Sequence, residues 1–131
     1  MTDRPKLISY FHQGQSGYGL LKGDGVVDLS ARYGSKWPTL RDVIEAGALQ
    51  ELCNAGASLA PDHKLANIRF DIPVVNPEKL ICVGVNFPDR NEEYKDGQEA
   101  PKNMSLFIRF PRSFVGHGEA LIRPPDRKSV V

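Results

Sequence analysis

Two glycine-containing turns in the first 30 residues constrain the fold of this chain more than any other feature. Gly14–Gly17 (GQSG) and Gly23–Gly25 (GDG) separate three short runs of strand-forming residues. Glycine adopts positive φ without steric cost, so it favours the tight reversals that join antiparallel strands. We therefore predict a meander whose strands are Lys6–Gln13, Tyr18–Lys22 and Val26–Leu29.

Two short helices are predicted to follow the meander. Thr39 is a favourable N-cap residue, and Asp42 stands three residues later, as in a capping box. One helix begins after Thr39 and a second covers Ala48–Ala55, and each is followed by a glycine that can end it, Gly56 in the second case. Meander and helices together predict a small α+β domain at residues 1–72.

The character of the sequence changes near residue 78, where an apolar run begins. Leu80–Val85 (LICVGV) shows no polar alternation, which is typical of a strand buried on both faces. Ser105–Phe110 is predicted as another strand, which Pro111 interrupts. We expect a tight loop at Val115–Glu119 and a further short strand at Ala120–Ile122.

The composition limits the classes of function. The 131 residues carry a net charge of +1, with 40% hydrophobic and 25% charged residues, as in a globular protein rather than a disordered one. The low charge gives no electrostatic support for binding nucleic acid or an anionic membrane. The sequence shows no secretory signal and no apolar run of about 20 residues. We therefore expect a cytoplasmic protein without a nucleic-acid or membrane partner.

Cysteine and histidine spacing reveals no metal motif. Cys53 and Cys82 are interpreted as reduced, buried thiols, although the sequence leaves a disulfide open. His12, His63 and His117 are far apart in the sequence, so their spacing indicates no set of metal ligands.

Charged residues accompany the two apolar runs. Arg90 and Glu93 are three residues apart, so a helix opened by Pro88 would place them on one face. They form either an exposed ion pair of small energetic consequence or a functional cation–carboxylate pair at the exit of a core strand. Arg109 shares a strand face with Phe107 by alternation, and it is either a cation that snorkels to water or a clamp for an anion.

Two ordered motifs between Pro77 and Pro125 resemble the fumarylacetoacetate hydrolase family. The segment ICVGVNFPDRNEEYKDG is similar to the family pattern CVGxNYxxHxxE, and PKNMSLFIRFPRSFVGHGEALIRP is similar to PxxFxKPxSxxVGxG. The resemblance implies an enzyme that hydrolyses a C–C bond of a 2-oxo acid, or that isomerises or decarboxylates such an acid. It also implies a homodimer and a mixed β-roll catalytic domain, whose truncated start would be residues 73–125.

The resemblance implies roles for five residues. Arg90 and Glu93 stand at the catalytic histidine–glutamate positions, and the substrate-binding positions are Asn86, Arg109 and Ser113. Arg90 replaces a histidine that activates water in hydrolytic members, and a guanidinium cannot accept that proton at neutral pH. The family pattern therefore favours enolate chemistry over hydrolysis in this sequence.

The family binds Mg²⁺ or Mn²⁺, which polarises the substrate carbonyl and stabilises an enolate. The carboxylates that hold this cation follow Pro125 in the family pattern, so we expect the chain as written to bind no metal and to be inactive. Residues 126–131 (DRKSVV) are interpreted as a non-native tail, because GAT CGG AAG AGC GTC GTG encodes them and matches a common sequencing adapter. A truncated natural gene is the alternative origin.

A noncatalytic protein is the alternative function. Such a binding or assembly protein would reuse the amino-terminal region of the family and pair with a complete homologue. It would need a stable fold without the remaining strands, and open strand edges favour aggregation instead.

Overall fold

A computed structural model describes residues 4–84, 102–123 and 125. The chain forms two compact units, one of which runs to Asn76 and resumes at Phe114, while the other is Pro77–Ser113. The mixture of helices and antiparallel strands confirms the α+β class. The domain bounds 1–72 and 73–125 stay a prediction, and the tail at 126–131 lies outside the described residues.

A five-stranded antiparallel sheet forms the first unit. Its strands lie in the order β4-β3-β2-β1-β5, and each pair of neighbours is antiparallel. The strands are β1 (Lys6–His12), β2 (Gln15–Lys22), β3 (Gly25–Asp28), β4 (His63–Lys64) and β5 (Arg69–Phe70).

The predicted meander is confirmed, but its first turn is shorter than expected. His12 pairs with Gln15, so two residues make the reversal: Gln13 with φ 50° and Gly14 with φ 82°. Two consecutive positive φ angles match the right-handed twist of the flanking strands. The strand β2 consequently begins at Gln15 rather than at Tyr18.

Three helices connect β3 to β4. They are α1 (Ser30–Tyr33), α2 (Leu40–Glu45) and α3 (Leu49–Ala57), and the sequence patterns did not predict α1. The capping box is confirmed, because the Thr39 side chain accepts from the Asp42 backbone N–H and the Asp42 carboxylate accepts from the Thr39 backbone N–H.

Gly56 does not end the last of these helices as predicted. It lies inside α3, where it is buried, and a methyl group there would come within 2.9 Å of the Leu20 side chain. The missing side chain therefore lets α3 pack closely against β2, and this packing outweighs the weak helix propensity of glycine.

The hydrophobic core lies between the sheet and the helices. Tyr18 belongs to this core and fixes the segment before α2, because its buried hydroxyl donates a 2.7 Å hydrogen bond to the Trp37 carbonyl. Burial, followed by the charges of Asp28 and Asp42, raises the pKa of Tyr18 to about 12. The buried cluster contains Tyr18, Leu20, Val27, Leu29, Trp37, Leu40, Val43, Ala48 and Leu52.

The second unit contains the antiparallel strands β6 (Ile81–Gly84) and β7 (Ser105–Ile108). The apolar run does form a strand, but the expectation that both of its faces are buried is wrong for this structure. Ile81 is 59% exposed and Ile108, which pairs with it, is 71% exposed. Only β7 adjoins β6 among the described residues, and a two-stranded ribbon cannot cover its own faces.

Segments after β7 agree with the sequence in part. Pro111 begins a 3₁₀ helix, Pro111–Ser113, and the tight loop is confirmed by the 3.1 Å bond from the Glu119 N–H to the Gly116 carbonyl. The predicted strand Ala120–Ile122 is wrong, because these residues have no regular structure. Among the described residues, no helix is long and apolar enough to cross a membrane.

Candidate functional site

Arg109 lies directly after β7, where a backbone hydrogen bond and a contact with an aromatic ring help to set its position. Its backbone N–H donates a 3.0 Å hydrogen bond to the Leu80 carbonyl, which extends the β6–β7 pairing by one residue. Its guanidinium carbon lies 5.4 Å from the centre of the Phe107 ring. The predicted proximity of Arg109 and Phe107 is therefore confirmed, and the ring face helps to orient a partly buried cation.

The two faces of this ribbon differ in chemistry. The four aliphatic side chains that share one face are exposed: Ile81, Val83, Leu106 and Ile108. Phe107 pairs with Cys82 and belongs to the opposite face by alternation. The guanidinium of Arg109 therefore lies on the same face of the ribbon as the Phe107 ring.

Ser113 ends the short 3₁₀ helix of the same unit. Its side chain is exposed, and its hydroxyl donates a 2.7 Å hydrogen bond to the Phe110 carbonyl. The backbone N–H of Ser113 donates to that carbonyl as well, at 2.9 Å. This double contact fixes the turn after Phe110, so the hydroxyl serves the local backbone in this structure.

Three of the predicted site residues lie outside the described residues. Arg90 and Glu93 are the predicted catalytic pair, and Asn86 is the third predicted substrate ligand. Their roles stay predictions, as does a site that unites them with Arg109 and Ser113.

The loop around His117 belongs to the first unit and packs against β5. The His117 ring meets the Phe70 ring edge to face, with centroids 5.3 Å apart. Arg69 forms an ion pair with Glu119, in which Nη1 lies 3.4 Å from Oε1. A methyl group at Gly116 would collide with the Phe70 carbonyl, so this loop approaches the strand as closely as backbone permits.

The structure also brings together two histidines that the sequence separates. The His12 and His63 rings are stacked with centroids 4.0 Å apart, and His63 Nε2 lies 3.4 Å from Asp28 Oδ2. Sequence spacing gave no signal for this group, because it depends on the curl that brings β1 close to β4. The described part of the chain nevertheless contains no cluster of three or more His, Cys, Asp or Glu side chains suited to a metal ion.

Both cysteines are free thiols in the structure. Burial raises the pKa of Cys53, so its thiol stays protonated at neutral pH and is a weak nucleophile. This agrees with the interpretation of two reduced cysteines, but both residues are partly rather than fully buried.

Curated proteins provide the strongest comparison. The chain is 36% identical over 110 residues to oxaloacetate tautomerase Fahd2a, mitochondrial, of Rattus norvegicus, covering 82% of this chain and 34% of the relative. It is 32% identical over 116 residues to oxaloacetate tautomerase fahd2, mitochondrial, of Xenopus laevis, covering 87% of this chain and 36% of that protein. Fumarylacetoacetate hydrolase domain-containing protein 2 of Pongo abelii is 29% identical over 110 residues, with coverage of 82% and 34%.

The chain spans about one third of the length of these relatives. A scan against protein-family models found no match. The similarity to the family therefore rests on the individual relatives.

The prediction of a cytoplasmic protein is wrong. The tautomerases of Rattus norvegicus, Bos taurus and Homo sapiens are all named as mitochondrial. The prediction relied on the lack of a secretory signal, which bears on export alone and not on import into an organelle.

Proposed function

Because the chain belongs to the fumarylacetoacetate hydrolase family, we propose that the complete protein is a mitochondrial isomerase that interconverts the enol and keto forms of a 2-oxo diacid such as oxaloacetate. Relatives named as oxaloacetate tautomerases support this substrate class. The family also supports an enzyme of the hydrolase or isomerase type acting on 2-oxo acids.

The position of Arg109 carries the proposal. Arg109 is a partly buried residue directly after β7, and its guanidinium carbon lies 5.4 Å from the centre of the Phe107 ring. A guanidinium donates two parallel hydrogen bonds to a carboxylate, which a lysine cannot do. A 2-oxo diacid offers two carboxylates, so a prepositioned arginine suits it as a binding group.

Tautomerisation moves one proton between carbon 3 and the oxygen on carbon 2. We assign that transfer to Glu93, and we assign Arg90 to the developing negative charge on the oxygen. This division suits an arginine in place of a histidine, because tautomerisation consumes no water and needs no base to activate one. Asn86 and Ser113 are proposed as further ligands of the substrate.

A divalent cation, Mg²⁺ or Mn²⁺, is expected in the complete protein because members of the family commonly use one. When bound, it would polarise the 2-oxo group. The described residues do not fit such a site, since no three suitable ligands lie together within the described ranges. We therefore assign no step of the reaction to the cation, and we propose a homodimer for the complete protein on the basis of the family alone.

An assay of enol disappearance tests this function. The complete protein is mixed with oxaloacetate enriched in the enol, and the enol absorbance is followed with and without Mg²⁺. We expect Arg109→Ala to lower kcat/KM about ten- to a hundredfold, since it removes a charge-assisted bond to the substrate. Arg112→Ala removes a neighbouring exposed cation at a variable motif position and should change the rate less than about twofold.

Two results would contradict the proposal. One is a protein that does not accelerate the loss of enol. The other is equal activity of the Arg109 and Arg112 variants. Arg90→His tests the division of labour separately, because it should raise the hydrolysis of an acylpyruvate. An unchanged rate would contradict the role given to Arg90.

An assembly function is the second candidate. The exposed aliphatic face of the β6–β7 ribbon favours it, because apolar side chains gathered on one surface often mark an interface. Sedimentation of the 131-residue chain distinguishes the two functions. A monodisperse, ordered species without turnover would favour assembly, whereas aggregation would count against it.

A further inference from the structure

A cleft between α3 and the meander takes no part in the proposed function. Its volume is about 450 Å³, within the size range of small-molecule pockets. Its walls come from the residues just before β1, from the end of β2 with the turn that follows it, and from one side of α3. The cleft therefore belongs entirely to the first unit.

The buried part of the lining is apolar. Leu20 is 5% exposed, and Leu21 and Cys53 are partly buried. Pro5 and Ala57 add apolar atoms nearer to solvent. A ligand with carbon atoms that cover this surface would gain free energy, because apolar area on both sides is removed from water.

Lys22 supplies a cation whose position is fixed. Its Nζ donates hydrogen bonds of 2.8 Å to the carbonyls of Ala57 and Leu59, at the carboxyl end of α3 and just beyond it. An ammonium group has three N–H donors, so one remains available to a ligand. The two carbonyls hold the ammonium group in place but do not neutralise its charge.

Two further side chains offer donors to the cleft. Arg4 is exposed and makes no hydrogen bond or ion pair with the other described residues, so its guanidinium can bind a carboxylate through two N–H groups. Asn54 accepts a 2.8 Å hydrogen bond at Oδ1 from Gln50 Nε2. The amide nitrogen of Asn54 therefore keeps its two hydrogens for a ligand.

The charge of the cleft is positive. Arg4 and Lys22 contribute two cations, and none of the described residues that line the cleft is acidic. A carboxylate there would meet two opposite charges and an amide donor, whereas an ammonium group would be repelled by both cations. The lining therefore favours anions over neutral and cationic ligands.

We propose that this cleft binds a small carboxylate with an aliphatic chain. The carboxylate group binds Arg4 and Lys22 with a contact to Asn54, and the chain covers the apolar surface of Leu20 and Leu21. The proposal concerns the first unit alone, so it stands or fails independently of the oxaloacetate reaction.

Three probes separate the contribution of charge from that of the apolar surface. Butyrate and butyramide share one carbon chain and differ in the charge of the head group, while acetate keeps the charge and lacks two methylene groups. Each is titrated at neutral pH and constant ionic strength into the 15N-labelled 131-residue chain. We expect saturable shifts of the backbone amides of Lys22, Gly23 and Asn54, with butyrate bound about tenfold more tightly than butyramide and about fivefold more tightly than acetate.

Matched variants identify the groups. Arg4→Gln removes one cation of the cleft and should weaken butyrate about fivefold without changing butyramide. Lys36→Gln removes the same charge outside the cleft and should leave the binding of butyrate unchanged. Asn54→Asp keeps the shape of the side chain but introduces a carboxylate, so it should weaken butyrate about tenfold and butyramide much less.

The proposal is overturned if butyrate gives no saturable shift in the folded chain, or if butyramide or acetate binds as tightly as butyrate. It is also overturned if Arg4→Gln and Lys36→Gln have equal effects on butyrate. A dispersed amide spectrum for each variant establishes that it is folded. Because the Arg4 side chain is exposed and has no partner among the described residues, Arg4→Gln tests the site even if Asn54→Asp does not fold.

Discussion

The two units of this chain both contain apolar strands, but the strands are buried in the first unit and exposed in the second. In the first unit, helices cover one side of a five-stranded sheet, and Val27, Leu29 and Leu52 are fully buried. In the second unit, the aliphatic side chains of β6 and β7 are as regular in pattern but remain exposed. An apolar strand pattern therefore specifies local conformation, while burial depends on a covering layer. Since a two-stranded ribbon alone is marginally stable in water, the free energy of folding is expected to reside mainly in the first unit.

Truncating one aliphatic side chain in each unit is the strongest test of this contrast. Leu52→Ala should lower the free energy of unfolding by about 2–5 kcal/mol, because it leaves a cavity in the core. Ile108→Ala should change it by less than about 0.5 kcal/mol, because that side chain is already exposed. Urea unfolding followed by the fluorescence of Trp37 measures both values. Similar losses would show that the ribbon is packed against other parts of the chain.

A pair of tyrosines refines the comparison within the first unit. Tyr18→Phe removes a buried hydrogen bond to the Trp37 carbonyl and should cost about 1–2 kcal/mol. Tyr10→Phe removes a buried hydroxyl that interacts with Asp28 and Ser30 but makes no hydrogen bond of normal geometry among the described residues, so it should cost less than Tyr18→Phe. Thermal and urea unfolding of the two variants check this order. A large loss in Tyr10→Phe would mean that its hydroxyl is satisfied in solution, for example by a bound water.

Side-chain hydroxyls that hydrogen-bond to nearby backbone should differ less between the units in their effect on the free energy of unfolding. Thr39→Ala removes the N-cap of α2 and should destabilise the chain by about 1 kcal/mol. Thr39→Ser keeps the capping oxygen and serves as the control. Ser113→Ala deletes an exposed bond to the Phe110 carbonyl and should change unfolding by a few tenths of a kcal/mol at most. Circular dichroism during urea unfolding compares the three, and equal effects of Thr39→Ala and Ser113→Ala would contradict the contrast.

The last prediction concerns how the free energy of unfolding falls in acid, an effect that is negligible near neutral pH. The fold lowers the pKa values of both Asp28 and Asp62. Burial alone would raise the pKa of Asp28, but the hydrogen bonds to its carboxylate outweigh this effect. The hydrogen bond from the Arg32 side chain lowers the pKa of Asp62. Their stabilisation is therefore complete above the unfolded pKa of about 3.9 and is lost as the pH falls through the folded values. Unfolding measured from pH 7 to pH 3 should show a steeper decline in wild type than in Asp28→Asn.

Local signals predicted most of the first unit. The glycine turns specified the β1–β2–β3 meander, and Thr39 with Asp42 specified the start of α2, because each feature depends on neighbouring residues alone. The helix α1 was missed because its four residues, Ser30–Tyr33, are too few for a periodic pattern. Gly56 was misjudged because its position inside α3 depends on contact with Leu20, which is remote in sequence.

Predictions about the candidate site were limited for a different reason. The proximity of Arg109 and Phe107 followed from strand alternation, which is a local rule. The group of His12, Asp28 and His63 depends on the curl of the sheet, and no spacing rule connects three residues from separate strands. The apolar pattern of Ala120–Ile122 predicted a strand without a pairing partner, and the described chain offers none.

The contact of the His117 loop with β5 has a consequence for synthesis. Residues of the first unit on either side of Pro77–Ser113 meet there, since Arg69 pairs with Glu119 and Phe70 packs against His117. On the ribosome, Phe70 emerges well before His117 and Glu119, so this edge of β5 stays uncovered while the intervening segment is translated. Contacts of such long sequence separation form slowly, and the exposed strand is open to wrong pairing during the delay. A pause in translation between Asn76 and Phe114 would lengthen the time for which β5 lacks its contacts with His117 and Glu119.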